Sequence, residues 1–137
     1  DGDHADKPYK GNSCLMLRYS GDVGSWVGVA WHDPANNWGE LAGGHDISGA
    51  KELELWASGE YGGERFNIGV GLIGSNKPHP DSGKTSVEGL VLTREWQRYR
   101  IPLDKLDLSS LKTGFVLSLA GQDTPVTIYL DNIRFVR

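Results

Sequence analysis

Short segments of alternating apolar and polar residues constrain the fold of this chain more than any other feature. Residues 51–58 read KELELWAS and place Leu53, Leu55 and Ala57 at every second position. Residues 65–73 read RFNIGVGLI and repeat the pattern. Successive side chains of a strand point to opposite faces, so a two-residue period is typical of a strand with one buried face. These segments therefore predict strands that pack on a core by one face.

Similar segments recur along the whole chain, separated by clusters of glycine, proline and polar residues, and neither a helical period nor an internal repeat stands out. A chain of 137 residues is long enough for one domain with a substantial core. We therefore predict a single all-β domain, a sandwich or barrel of about eight or nine antiparallel strands. The predicted strands cover residues 14–19, 25–32, 51–58, 65–73, 86–92, 96–103, 114–120 and 126–136.

Charge and composition argue against several functions. The formal net charge is −4 and the basic residues are scattered, whereas nucleic-acid binding needs a basic patch. No apolar run approaches the ~18 residues of a membrane span. The polar start, DGDHADKPYKG, is unlike a signal peptide, and we expect residues 1–137 to be one domain excised from a longer multidomain protein. The single Cys14 permits no internal disulfide.

The stretch WVGVAWHDPANNWG, residues 26–39, holds three of the five tryptophans. Strand parity assigns Trp31 to the core with two valines, and we also expect Trp96 of a later strand to lie in the core. The opposite face of the strand combines a large ring with two very small residues, which leaves room for a ligand above the sheet. That face carries Trp26, Gly28, Ala30 and His32.

Exposed aromatic rings beside polar groups are typical of sugar binding, because rings stack on C–H faces and polar groups take the hydroxyls. Trp56 shares its strand face with Glu54, and Asn67 shares its face with two glycines. If these faces and that of Trp26 belong to one sheet, they form a shallow groove. The candidates for carbohydrate binding are Trp26, Trp38 and Trp56 as platforms, Glu54, Asn67 and His32 as polar contacts, and Tyr61 as a further platform. Packing inside the protein is an equal alternative for the three tryptophans.

Catalysis is the main alternative to binding. Glu52 and Glu54 lie two positions apart on a strand, so their carboxylates emerge on one face about 7 Å apart, within the range that glycosidases use. The same spacing is ordinary for a strand with a solvated polar face. No Gly-x-Ser-x-Gly, His-Glu-x-x-His or Walker motif occurs, and the four histidines lack the spacing of a transition-metal site. The residues favour a protein that is not an enzyme.

Asp131 interrupts the alternation of the last strand, in YLDNI. A carboxylate at such a position predicts either a β-bulge or a ligand to a hard cation. Calcium needs several further oxygen donors. The acidic N-terminal residues, Asp3 among them, and the turn that contains Asn12 are possible sources.

Four motifs, taken in order, resemble the β-jelly-roll carbohydrate-binding-module superfamily. They are WVGVAWHDPANNWG, HDISGAKELELWASGEYGGERFNIGVG, PDSGKTSVEGLVLTREWQRYRIPLDKLDLSSLKTGF and TIYLDNIRF, and the resemblance covers residues 12–136. It implies a jelly roll of two facing antiparallel sheets, no catalysis, and binding of a polysaccharide, which we expect to be a β-glucan or a related plant polysaccharide. It also implies an extracellular location, attachment to a catalytic glycoside hydrolase or to other envelope domains, and a structural Ca2+ ion at Asp131 with Asp3 and Asn12.

Two features depart from the pattern of the superfamily. Ser58 stands where related domains commonly have an arginine, and the first strand upstream of PYKGNSCL is truncated. Two other functions therefore stay open at this point. One is a jelly-roll glycosidase or lyase that uses Glu52 and Glu54, and the other is a structural or interaction domain of a cell-envelope protein.

Overall fold

A computed structural model describes residue 5 and residues 8–20, 24–121 and 124–137. Within these residues the chain forms eight strands and no helix, close to the predicted ranges. The strands are β1 (Leu15–Tyr19), β2 (Trp26–His32), β3 (Glu52–Gly59), β4 (Arg65–Val70), β5 (Thr85–Val91), β6 (Gln97–Pro102), β7 (Thr113–Ala120) and β8 (Val126–Val136).

The strands form two four-stranded sheets in which every neighbouring pair is antiparallel. Sheet 1 has the order β1-β8-β3-β6, and sheet 2 has the order β2-β7-β4-β5. This arrangement confirms the predicted all-β jelly-roll sandwich. Across the described ranges, none of the residues builds a helix of the length and apolarity that a membrane span requires.

The hydrophobic core lies between the two sheets and draws on the inward faces that the alternation predicts. Leu53 and Leu55 of β3 and Phe66 and Ile68 of β4 belong to one core cluster, and all four are fully buried. Burying a side chain of this size contributes about 1.5–3 kcal/mol relative to leaving it in water. The core thus fixes the parity of each strand, and with it the residues that point to solvent.

Two tryptophans that were expected in the core lie elsewhere. Trp31 packs against Phe115, with ring centroids 4.9 Å apart, but it stands near the end of the edge strand β2 and keeps 43% of its surface exposed. Trp96 precedes β6, is half-buried, and meets the ring of Tyr9 edge to face. Parity predicts which face a side chain takes, but it does not predict whether another element covers that face.

Three connections meet at the end of sheet 2 where β2 and β4 end and β7 begins. Residues 33–51 follow β2, residues 71–84 follow β4, and residues 103–112 precede β7. Backbone hydrogen bonds join these connections, among them a reciprocal pair between His45 and Leu111. The connections therefore form one ordered rim beside the outer face of sheet 2.

Candidate functional site

The outer face of sheet 2 forms an open groove of about 1190 Å³. Two rows of mostly small side chains, which cross β2, β7 and β4, make its floor. The first row is Gly28, Ser118 and Asn67, and the second is Ala30, Val116 and Gly69. Trp26 lines one end of the groove and His32 and Trp38 line the other, with Lys84 and Glu88 on the β5 side. The predicted faces of β2 and β4 therefore do share one surface.

Trp26 is the most exposed tryptophan of the groove, with 73% of its surface accessible. Its six-membered ring lies next to Gly28, where an added Cβ would approach Trp26 Cζ3 to 3.3 Å. The ring therefore leans along the strand over the glycine. The missing side chain at position 28 gives the indole space to lie low against the floor.

Gly69 of β4 and Gly71, directly after β4, have a different role from Gly28. A Cβ at Gly69 would come within 3.0 Å of the Thr85 carbonyl oxygen, and a Cβ at Gly71 would clash with the Gly83 carbonyl. Gly71 also has a φ of +77°, which side-chain-bearing residues rarely adopt. These two glycines are therefore required by the close approach of the neighbouring backbone, with which a side chain at either position would collide.

Asn67 is held in a fixed orientation on the groove floor. Its Nδ2 donates to Ser118 Oγ at 3.1 Å, and its Oδ1 accepts from the Gly89 backbone N–H at 2.8 Å. Gly89 belongs to a bulge in β5, where the register with β4 shifts opposite Asn67. Because Ser118 Oγ already accepts a hydrogen bond, its own O–H can donate to a ligand. Ser118 is a polar floor residue that the sequence analysis did not select.

Trp38 lies on the connection after β2 and is 52% exposed. It meets the imidazole of His32 nearly perpendicularly, with ring centroids 4.3 Å apart and an interplanar angle of 83°. Among the described residues, His32 Nε2 is buried without a hydrogen-bond partner. His32 is thus placed mainly as a packing partner of Trp38 at this end of the groove.

Asp81 ties the connections beside the groove to the sheet. Its carboxylate accepts backbone hydrogen bonds from Leu72 and Ile73 after β4, and from Lys112 and Thr113 at the start of β7. Partial burial disfavours the charged carboxylate, but these four N–H donors outweigh burial and hold the pKa of Asp81 below its usual value. The sequence analysis missed Asp81, because its partners are distant along the chain.

Glu54 and Trp56 do not contribute to the groove, because β3 belongs to sheet 1 and their side chains point to the outer face of that sheet. Glu54 is 3% exposed. Its carboxylate accepts hydrogen bonds from Arg134 Nε and Nη2, at 3.2 and 3.1 Å, and lies 3.6 Å from Arg98 Nη1. Glu52 pairs with Arg100 at 3.8 Å. Both glutamates thus take part in ion pairs on a strand face.

Trp56 is half-buried beside the N-terminal segment. Its ring centroid lies 4.2 Å from that of Tyr9, which also contacts Trp96. Tyr61, the further platform predicted from the sequence, is exposed in the β3–β4 turn and does not line the groove. The structure therefore brings Trp26, Trp38, His32 and Asn67 together and leaves Trp56, Glu54 and Tyr61 apart from them.

Asp131 stands next to a bulge in β8, where the register with β3 shifts and Asn132 has a φ of +52°. Its Oδ2 accepts hydrogen bonds from the backbone of Tyr9 and Lys10, each at 3.0 Å, and its Oδ1 accepts from Asn132 N at 2.8 Å. The carboxylate thus holds the N-terminal turn through two N–H donors, those of Tyr9 and Lys10, and the third donor, from Asn132, belongs to β8 itself. These donors occupy acceptor positions that a calcium ion would use.

The other two predicted calcium ligands, Asn12 and Asp3, do not complete a calcium site among the described residues. Asn12 is exposed in the same turn, and Asp3 lies outside the described residues. Across the part of the chain that the structure describes, no three His, Cys, Asp or Glu side chains cluster as a metal site would require. The described residues thus assign Asp131 a hydrogen-bonding role, and calcium binding at Asp131, Asp3 and Asn12 stays an untested prediction from the sequence.

Solved structures with a similar fold include three carbohydrate-binding modules. A family 30 carbohydrate-binding module is 22% identical with a TM-score of 0.64, covering 96% of this chain and 71% of that one. The family 30 module of a cellulosomal cellulase of Clostridium thermocellum is 23% identical with a TM-score of 0.65, covering 95% and 78%. A family 11 module from Clostridium thermocellum, in complex with a β-1,3-1,4-mixed-linked tetrasaccharide, is 12% identical with a TM-score of 0.60, covering 93% and 77%. At these identities the likeness shows the fold alone.

The family of the chain follows from its sequence. Comparison with curated proteins gave no match. The model of the family described as "Carbohydrate binding domain 30" matches residues 2–137. Such modules are non-catalytic and typically act outside the cell or at its surface, which confirms the predicted non-catalytic binding of carbohydrate. The chain belongs to the carbohydrate binding domain 30 family.

Proposed function

We propose that the groove on sheet 2 binds one chain of a β-glucan or a related plant polysaccharide, with Trp26 and Trp38 as platforms. The observation that carries this proposal is the presence of two largely exposed indoles at opposite ends of a floor of small residues. Contiguous exposed apolar surface that is rimmed by polar residues is typical of a ligand-binding groove. Aromatic faces are well suited to the C–H faces of sugar rings.

The groove has the length and the polar groups that an extended glycan chain requires. Trp26 and His32 lie six residues apart on β2, a span of roughly 20 Å in an extended strand. Between them, Asn67 and Ser118 offer hydrogen bonds to hydroxyl groups from the floor. Lys84 and Glu88 provide further polar contacts on the β5 side.

The choice of a β-glucan is supported by the ligand of one structural neighbour, the family 11 module in complex with a β-1,3-1,4-mixed-linked tetrasaccharide. Affinity electrophoresis tests this choice on gels that contain mixed-linkage β-glucan, mannan or starch. We expect the mixed-linkage β-glucan to retard the protein and starch to leave its migration unchanged. Retardation by starch alone, or by none of the three polysaccharides, would contradict the proposed ligand.

We also propose that the domain is secreted and works in a longer protein, attached to a catalytic glycoside hydrolase or to other envelope domains. One structural neighbour is a module of a cellulosomal cellulase, which supports this arrangement. Holding a polysaccharide near a tethered catalytic domain raises its effective concentration. Two measurements test secretion and attachment to further domains. The full-length protein is isolated from culture medium and from the cell fraction, and the intact chain is analysed by mass spectrometry.

A further inference from the structure

We propose that Asn37 is the positioning residue for the Trp38 platform, an inference that rests on the proposed function of the groove. Asn37 is 1% exposed, although its neighbour Trp38 is largely exposed. A buried amide directly beside an exposed ring indicates that the backbone is anchored while the ring faces the groove. The hydrogen bonds of Asn37 show how this anchoring works.

The Asn37 side chain uses both ends of its amide on the segment that carries Trp38. Its Nδ2 donates to the carbonyl oxygens of Asp33 and Leu41, at 3.3 and 2.9 Å. Its Oδ1 accepts from the backbone N–H groups of Gly39 and Leu41, at 3.0 and 3.2 Å. The amide therefore bridges the backbone before and after Trp38 and closes residues 33–41 into a compact loop.

The residue after Trp38 is anchored as well. Gly39 has a φ of +95°, and a Cβ there would come within 2.6 Å of Ile73 and 2.7 Å of Lys77. Its carbonyl oxygen accepts a hydrogen bond from His79 N at 2.8 Å. Both neighbours of Trp38, Asn37 and Gly39, are thus buried and hydrogen-bonded. The backbone that carries the indole is therefore held in place.

A fixed backbone around Trp38 increases the affinity for the glycan, because a mobile platform would have to be ordered when the glycan binds. Ordering a side chain and its loop on binding costs about 0.5–1.5 kcal/mol, which corresponds to roughly threefold to tenfold in affinity. Loss of the Asn37 amide should therefore weaken glycan binding by about this factor. The loss should act through Trp38 and not through Trp26, which stands on β2 at the other end of the groove.

A double-mutant cycle measured by calorimetry with mixed-linkage β-glucan oligosaccharides tests this inference. We expect Asn37→Ala to weaken binding about threefold to tenfold in the wild type and in Trp26→Ala, but to have no further effect in Trp38→Ala. The matched control is Asn76→Ala, the same change at an exposed asparagine of the neighbouring connection, which should bind as the wild type does. An equal loss in all three backgrounds, or no loss in the wild type, would overturn the inference.

Asn37→Asp provides a second variant with the same shape as asparagine, and it is used if Asn37→Ala does not fold. It keeps the acceptor oxygen but turns a carboxylate oxygen toward the Asp33 and Leu41 carbonyls. We expect Asn37→Asp to weaken binding in the wild type and in Trp26→Ala but not in Trp38→Ala. If the effect does not depend on Trp38 in this way, the inference is overturned. If Trp26→Ala and Trp38→Ala both bind like the wild type, the proposed function itself fails. If both weaken binding while the Asn37 effect is independent of Trp38, only the inference fails.

Discussion

At the scale of single residues, the platforms of the groove depend on neighbours that are small or buried. The Trp26 ring lies low because Gly28 has no side chain, and Trp38 stands beside a buried asparagine. Gly28 lies on the outer face of sheet 2 and is no part of the hydrophobic core. Its substitution should therefore separate binding from folding.

Gly28→Val is expected to weaken glycan binding while the protein remains folded. The new side chain would contact the Trp26 ring and lift it from the floor. Valine also has a higher strand propensity than glycine, so we expect the melting temperature to stay the same or rise slightly. Calorimetry with a β-glucan oligosaccharide, beside a thermal melt, checks both. Wild-type affinity with a folded variant would show that the position of the Trp26 ring is unimportant.

Glu54→Gln is expected to lower stability and leave glycan binding within twofold of the wild type. The buried carboxylate would lose its charge beside Arg134 and Arg98. Because both arginines are about half exposed and screened by water, the expected loss is about 1–2 kcal/mol in the free energy of unfolding. Urea unfolding measures it, with Glu52→Gln at a more exposed pair as the control. A large loss of glycan affinity would place a binding function on sheet 1.

At the scale of elements, strand alternation predicts where strands lie and which residues point outward, since parity is a local property. It therefore placed Trp26 and Asn67 correctly on the solvent face of their strands. It did not predict that β3 joins sheet 1, because that choice depends on pairing with β8, more than 60 residues away. Glu54 and Trp56 were grouped with the groove for this reason.

The rim of connections carries an acid-sensitive element at Asp81. Its pKa is lowered in the folded protein, so its contribution to stability is complete above the unfolded pKa of about 3.8 and is lost as the pH falls through the lower folded value. We expect Asp81→Asn to cost about 2 kcal/mol in the free energy of unfolding at pH 7, because acceptors for backbone N–H groups are lost.

The difference between Asp81→Asn and the wild type should stay constant above the unfolded pKa of about 3.8 and shrink as the pH is lowered below it. Urea unfolding at several pH values gives the curve. Asp104→Asn, at an exposed aspartate of another connection, is the control. A stability difference that does not change with pH would contradict the role assigned to the ionised Asp81 carboxylate.

The N-terminal turn gives a prediction about calcium. Three backbone N–H groups point at the Asp131 carboxylate, so we expect Ca2+ or a chelator to leave the wild-type melting temperature unchanged. Asp131→Ala should lower the melting temperature to the same extent with and without Ca2+. Stabilisation of the wild type by Ca2+ that disappears in Asp131→Ala would instead establish a calcium site.

At the scale of the whole molecule, the two sheets present outer faces with different chemistry. The outer face of sheet 2 combines small floor residues with exposed indoles. On sheet 1, the outer face carries paired charges around Glu54, and Tyr9 lies against Trp56. The sequence motifs predicted the fold and the class of ligand, but the division of tryptophans between the faces required the sheet order. One tryptophan on each face allows a direct comparison.

Calorimetric titration of Trp26→Ala and Trp56→Ala with the same mixed-linkage β-glucan oligosaccharide tests the location of the site most directly. The groove on sheet 2 predicts that Trp26→Ala weakens binding at least about tenfold, or about 1.4 kcal/mol. It predicts that Trp56→Ala binds within twofold of the wild type, although its melting temperature falls because contact with Tyr9 is lost. Loss of binding in Trp56→Ala together with wild-type binding in Trp26→Ala would place the site on the other face and contradict this account.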